Sequence, residues 1–333
     1  IKEVNKMLTK DTLIQQLDNM TFHSKNYTDF LKMASTQEVE GLNNIGLIYI
    51  APESFSLNKV EDILDFLESK GIVFLDASIV GNFTEEDIGH HMPRKVKNSL
   101  RWWIVQRRFT IGPVGALLVS SKKSLKYPFP KLLKEIKGFR VPCKADQLSL
   151  RGSLASINGK FNFIHSSDDG SNLLRDSDPF YSVDRIIKAI EKSNLIHLEK
   201  EIPLSKNQVL NEFFTGYIGI KGYCASFFTV YTSVLLRITA RIISLHKLEN
   251  WIREVQSLLN NNLQKFSHPT TIKEHLSNFL IMKDKVQKLY ELNDFELKNT
   301  ECIKTKTLLY ILHSLLDFDN ADKKDWLKII KNF

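Results

Sequence analysis

Apolar side chains run without interruption along residues 45–51, IGLIYIA, until Pro52 ends the run. That is the pattern of a strand covered on both faces. Residues 72–80, IVFLDASIV, give a second such stretch, and residues 112–119, GPVGALLV, a third. Between the first two, Val60, Ile63, Leu64, Phe66 and Leu67 recur at helical spacing within residues 56–70, and Gly71 closes the helix. A fourth, short strand is expected where Phe161, Phe163 and Ile164 lie between Asn158-Gly159 and the polar cluster of residues 166–170. His165 would then stand at a strand's exit, where the backbone is fixed and the loop opens the side chain to a cleft. Helices are expected over residues 130–137 and 182–193, and a helical hairpin over 84–109, broken at Pro93. The order strand, helix, strand, strand, helix, strand predicts an α+β domain of the ferredoxin-like, split βαβ type.

The flanks read differently. Residues 1–43 carry helical periodicity (Leu13, Ile14 and Leu17, then Tyr27, Phe30 and Leu31), with Thr9, Asp11 and Ser24 as candidate caps, and form an N-terminal helical extension. The α+β domain follows over residues 44–200. Residues 205–333 contain almost no strand punctuation and several long amphipathic patterns, so a C-terminal all-helical domain is expected. Its most apolar part, residues 213–245, is interrupted by Lys221, Arg237 and Arg241, which favours a bundle helix over a membrane span.

Composition narrows the class without fixing the function. With 43% hydrophobic and 25% charged residues the chain is neither disordered nor membrane-like, and its formal net charge of +8 suits anionic partners or simply a basic soluble surface. The three cysteines show no CxxC spacing, so neither a disulfide framework nor a zinc site is indicated, and a cytoplasmic setting fits. No P-loop, GxSxG or HExxH is present.

Candidate chemistry gathers in residues 149–168, SLRGSLASINGKFNFIHSSD. Arg151, Asn162, His165, Ser167 and Asp168 supply a fixed cation, an amide, an imidazole and two polar partners. In order and spacing, Leu150-Arg151-Gly152, then Asn162, Phe163-Ile164, His165 and Ser166-Ser167-Asp168 resemble the active-site segment of nucleoside diphosphate kinases. The resemblance covers roughly residues 44–195 and implies the ferredoxin-like core already expected from periodicity.

It also implies roles. His165 would be the nucleophile that takes a phosphoryl group from Mg²⁺-bound nucleoside triphosphate. Arg151 would contact phosphate, Asn162 the sugar and phosphate region, Ser167 a polar network beside the imidazole, and Asp168 the shape of the loop. Trp102 would stack a base, and His91 would lie on the phosphate side. Arg140 and Lys144 would replace the family's phosphate-binding loop residues. Where family members carry Lys-Pro-Asp after the first strand, this chain has Ala51-Pro52-Glu53, so the family's lysine is absent. The acidic partner of the histidine would fall near Ile186, with Asp184 the nearest carboxylate, because residues 170–179 read as an insertion.

Three functions remain open on this reading. One is a nucleotide-binding phosphotransferase with a phosphohistidine at His165 and an acceptor that need not be a nucleoside diphosphate. A second is a catalytically inactive scaffold or nucleotide sensor whose helical domain binds a protein. The third is nucleic-acid binding, resting on the charge and on Trp102-Trp103 beside Arg101, Arg107 and Arg108. No metal is expected at the adjacent His90 and His91, which lack a third ligand. A homo-oligomer and no membrane association complete the expectations.

Overall fold

The computed structural model describes residues 8–18, 24–56, 59–81, 83, 88, 109, 112–140, 144–154 and 162–215. Trp102, His91 and nearly all of the hairpin expected over 84–109 and of the helical domain expected over 205–333 lie outside them.

Among the described residues four strands form one antiparallel sheet: β1 (Ile45–Ile50), β2 (Ile72–Val80), β3 (Val114–Ser121) and β4 (Ile164–Ser166), in the order β2-β3-β1-β4. β3 lies between β1 and β2, which is the split βαβ arrangement of an α+β, ferredoxin-like fold. The register pairs Tyr49 with Ala116 on one side and with His165 on the other. A bulge between Phe74 and Asp76 shifts β2 by one residue, so Leu118 of β3 faces Asp76.

Period-two alternation divides the buried residues between two faces. Ile48, Ile50, Phe74, Leu117, Val119 and Ile164 point to one, where they meet α5 (Val60–Ser69) and α6 (Phe129–Lys137). Leu47, Tyr49, Leu75, Ala116 and Leu118 point to the other, into a core shared with helical residues such as Tyr27, Phe30, Leu173, Ile186 and Ile190. On that second face lie α2 (Lys25–Met33), α3 (Thr36–Gly41), α8 (Gly170–Ser177) and α9 (Val183–His197).

The remaining helices are short or peripheral. α1 (Lys10–Asp18) leads into α2, whose N-terminus is capped by the Ser24 hydroxyl accepting from the Tyr27 N–H. The single helix expected over 56–70 begins instead as α4 (Pro52–Ser56), which precedes α5. The segment Leu150-Arg151-Gly152 forms one helical turn, α7 (Leu150–Ser153), capped by Ser149. α10 (Lys206–Thr215) returns along β2 and α5, with Leu204 bridging to Phe74 and the Lys206 ammonium on Glu61 and Asp65. Among the described residues no helix is long and apolar enough to cross a membrane.

Candidate active site around His165

The backbone before His165 is held in a strained shape. Phe163 has φ +68°, a region that a bulky L-residue occupies only when its surroundings enforce it. The enforcement is visible. The Phe163 N–H donates to Glu53 Oε1 at 3.1 Å, and its carbonyl accepts from the Ala51 N–H and the Ser54 hydroxyl, both at 2.8 Å. Glu53 is fully buried. The Ile164 N–H closes the turn onto the Asn162 carbonyl at 2.8 Å. Asn162 is itself buried beside this turn.

β4 lies within the motif and, among the described residues, at the edge of the sheet, where one side of it pairs with β1. His165 sits in the middle of the strand rather than at its exit. Its neighbours' outward carbonyls are met by buried cations. Arg151, 6% exposed, donates from Nη2 to the Ile164 carbonyl at 2.7 Å and from Nη1 to the Gly138 carbonyl at 3.2 Å. Lys137, 8% exposed, donates to Ser166 Oγ at 2.7 Å. Burial, with the nearby Arg151 charge second, lowers the Lys137 pKa to about 8.

That shift fixes a sign. From pH 8 to the ordinary lysine value of about 10.4 the unfolded chain binds the proton that the folded chain has lost, so stability rises with pH across this window. Comparing urea midpoints of the wild type and Lys137→Met at pH 7 and pH 10 isolates the effect. The wild type should gain about 2 to 3 kcal/mol relative to the variant, and a constant difference would contradict the burial of the ammonium.

The imidazole lies on the face opposite to Ser166 and Lys137. Its side chain is 43% exposed, and its ring rests against Tyr49 with centroids 5.6 Å apart. His165 Nε2 is 3.6 Å from Asp176 Oδ2, longer than a full hydrogen bond and within charge contact. The same Oδ2 accepts from the Ser167 hydroxyl at 2.9 Å, while Arg175 donates from Nε and Nη2 to Oδ1, each at 2.6 Å. The Tyr49 hydroxyl donates to the Asp176 carbonyl. Burial alone would raise the Asp176 pKa, but contact with His165 and with the Arg175 guanidinium outweighs it and the carboxyl is held below its ordinary value. Asp176 is an anion at neutral pH.

This corrects the expected partner. Residues 170–179 themselves supply the carboxylate beside His165. They contain α8, which starts at the Asp169 cap and delivers Asp176 to the imidazole in its last turn. Asp184, in the first turn of α9, is exposed. The sequence held a signal for α8: Asp169 accepts from the Asn172 N–H at 2.8 Å, and Leu173-Leu174 follow at helical spacing.

The other residues singled out from the sequence are spread more widely. Ser167 is buried at Asp176, and Asp168 is exposed in the following loop. Arg140 and Lys144 are both exposed, in sequence between α6 and α7. Ala51 is buried, and the one residue pair after it, Pro52-Glu53, turns the chain back toward Phe163. Among the described residues no group of three or more His, Cys, Asp or Glu side chains could hold a metal ion.

The geometry thus presents a half-exposed imidazole whose Nε2 is oriented by a buried carboxylate. An Nε2–H directed at that anion leaves Nδ1 with its lone pair. Comparison with known proteins adds a relative. The chain is 28% identical over 141 residues to the nucleoside diphosphate kinase of Fervidobacterium nodosum, covering 42% of this chain and 90% of that protein. Solved nucleoside diphosphate kinases also align: that of Encephalitozoon cuniculi at 19% identity, over 40% of this chain and 86% of its own, and that of Aquifex aeolicus at 20%, over 40% and 92%, each with a TM-score of 0.36. No family model matches the sequence. Over less than half of its length, this chain is therefore nucleoside diphosphate kinase-like and divergent in sequence.

Proposed function

We propose that the α+β domain is a nucleotide-binding phosphotransferase that carries a phosphoryl group on His165. The observation that supports this reading is the buried, ionised Asp176 at 3.6 Å from Nε2 of a half-exposed imidazole. The donor is Mg²⁺-bound nucleoside triphosphate, the metal entering with the phosphates as part of the substrate. Nδ1 attacks the γ-phosphorus, an N–P bond forms, the bond from the γ-phosphorus to the β,γ-bridging oxygen breaks, and nucleoside diphosphate leaves. In the second half-reaction an acceptor oxygen takes the phosphoryl group and the N–P bond breaks. Asp176 keeps the Nε2–H in place throughout and offsets the positive charge that develops on the ring.

The acceptor is expected to differ from a nucleoside diphosphate. Ala51 stands where the family carries the phosphate-contacting lysine, and Lys137 does not replace it, because its ammonium is bonded to Ser166 on the opposite face of β4. Loss of one such preorganised charge contact typically costs about 10² to 10³ in rate. An acceptor that brings its own cation would compensate.

A second reading follows from Arg151. Two of its N–H groups are engaged by the Gly138 and Ile164 carbonyls, which suits a cation that holds the fold more than one that holds phosphate. In that reading the domain binds nucleotide weakly or not at all and serves as a scaffold for a protein partner of the helical half.

One experiment separates the two. The full chain is incubated with γ-labelled ATP or GTP and Mg²⁺, the label on histidine is assayed for acid lability, and the same nucleotides and their diphosphates are titrated calorimetrically. Acid-labile label on His165 is the expected result. Binding without label supports a nucleotide sensor, and neither binding nor label supports the scaffold and overturns the phosphotransferase.

A further inference from the structure

The helix that carries Asp176 is short. At eight residues α8 would be marginal by itself, so its last turn depends on what it is tied to. On the sheet side the ties are those already described, from Tyr49 of β1 and from Ser167 after β4. Behind it the ties come from residues that precede the kinase-like segment. The Asp178 carboxylate, one residue past the end of α8, accepts from the Asn26 N–H at 2.8 Å and the Lys25 N–H at 3.2 Å. These are the first two residues of α2, whose leading N–H groups have no partner within their own helix and whose dipole favours an anion there.

The Asn26 side chain is 5% exposed and reaches further. Its Nδ2 donates to Ser177 Oγ at 3.0 Å and to the Tyr181 carbonyl at 2.7 Å. The Ser177 hydroxyl in turn donates a hydrogen bond to the Leu174 carbonyl at 2.8 Å, inside α8. The Tyr181 hydroxyl donates to the Ala116 carbonyl of β3 at 2.8 Å. One amide therefore links the end of α8 to a residue that is bonded to the sheet. α2 is rigidly seated for this purpose, since Tyr27 and Phe30 are fully buried and the Tyr27 hydroxyl donates to the Leu13 carbonyl of α1 at 2.8 Å.

We infer that Asn26 is a positioning residue for His165: α2 is a strut behind α8 that sets where the Asp176 carboxylate meets the imidazole. The N-terminal helices are thus part of the site's support, although they lie outside the segment that resembles the kinases. This rests on the reading of His165 as the reacting group, but it is tested on the free protein.

The readout is the tautomer of His165, followed through the ring nitrogens by NMR of the full chain labelled with ¹⁵N-histidine. Wild type, Asn26→Ala and Asp178→Asn are compared above the histidine titration range, each with a thermal melt. The wild type should show the Nε2–H form. In Asn26→Ala the ratio of the Nδ1–H form to the Nε2–H form should rise about tenfold, the scale of losing one hydrogen bond. Asp178→Asn, which keeps one acceptor for the Asn26 N–H, should shift the ratio in the same direction by less. If Asn26→Ala does not fold, the spectrum of Asp178→Asn decides. A folded variant with a lower melting temperature and an unchanged tautomer ratio overturns the proposal and leaves Asn26 a structural residue. Phosphorylation is measured separately in the same proteins: an unlabelled wild type with a shifted variant tautomer defeats the phosphotransferase and retains the strut.

Discussion

Asp176→Asn is expected to slow the proposed phosphorylation of His165 by about 10² to 10⁴, the range spanned by losing a positioned acid-base partner and by holding an imidazole in the wrong tautomer. The direction follows from who else touches the carboxylate. Arg175 donates twice to Oδ1, so the amide of the variant must keep its oxygen there. Its NH₂ then occupies the place of Oδ2, facing Ser167 and His165 Nε2. An amide donor against Nε2 requires that nitrogen to accept, which moves the ring proton to Nδ1 and blocks the nucleophile. Single-turnover labelling reads the loss, with His165→Ala as the zero baseline. A rate equal to wild type would remove Asp176 from the mechanism. Stability supplies an independent check. The folded-state pKa of Asp176 is lowered, so its contribution is fully present above the unfolded carboxylate value of about 4 and is lost as pH falls through the folded value. The Asn variant lacks that acid-side loss, and the two melting curves should converge as pH drops below about 4.

The parts of the fold that were legible in the sequence are those with a local cause. Residues 45–51 and 72–80 announce strands because both faces of β1 and most of β2 are covered, and the alternation of helices and strands yields the sheet order. His165 was legible because its neighbours form a motif. Asp176 was not, since an acidic residue in a polar stretch looks like a solvated loop until α8 folds it under Tyr49. Burial of charge is likewise a tertiary result: Glu53, Arg151 and Lys137 sit in segments whose local pattern predicts exposure, and they are buried because β4 is a three-residue edge strand whose backbone groups need partners. The positive φ of Phe163 had no sequence signal at all, because glycine is the residue that would have advertised it.

That strained turn carries the second large effect. Glu53→Ala is expected to destabilise the domain by roughly 2 to 4 kcal/mol, because it combines an unsatisfied buried N–H with relaxation of a strained residue and a small cavity. Glu53→Gln is the discriminating partner. It keeps an oxygen acceptor of the same reach for the Phe163 N–H while removing the charge, so it should retain most of the stability if the hydrogen bond is what matters. Denaturant midpoints of the two variants measure this, and equal losses would mean that the carboxylate charge, not its acceptor oxygen, holds the turn. The consequence reaches the site because Phe163 is two residues from His165 and its carbonyl also ties β4 to Ala51 and Ser54. Once Phe163 relaxes to negative φ, β4 no longer meets β1 in the same register at Tyr49, and the imidazole moves away from Asp176. In Glu53→Ala, labelling of His165 should therefore fall by more than the unfolded fraction accounts for, whereas in Glu53→Gln the rate should follow the folded population alone.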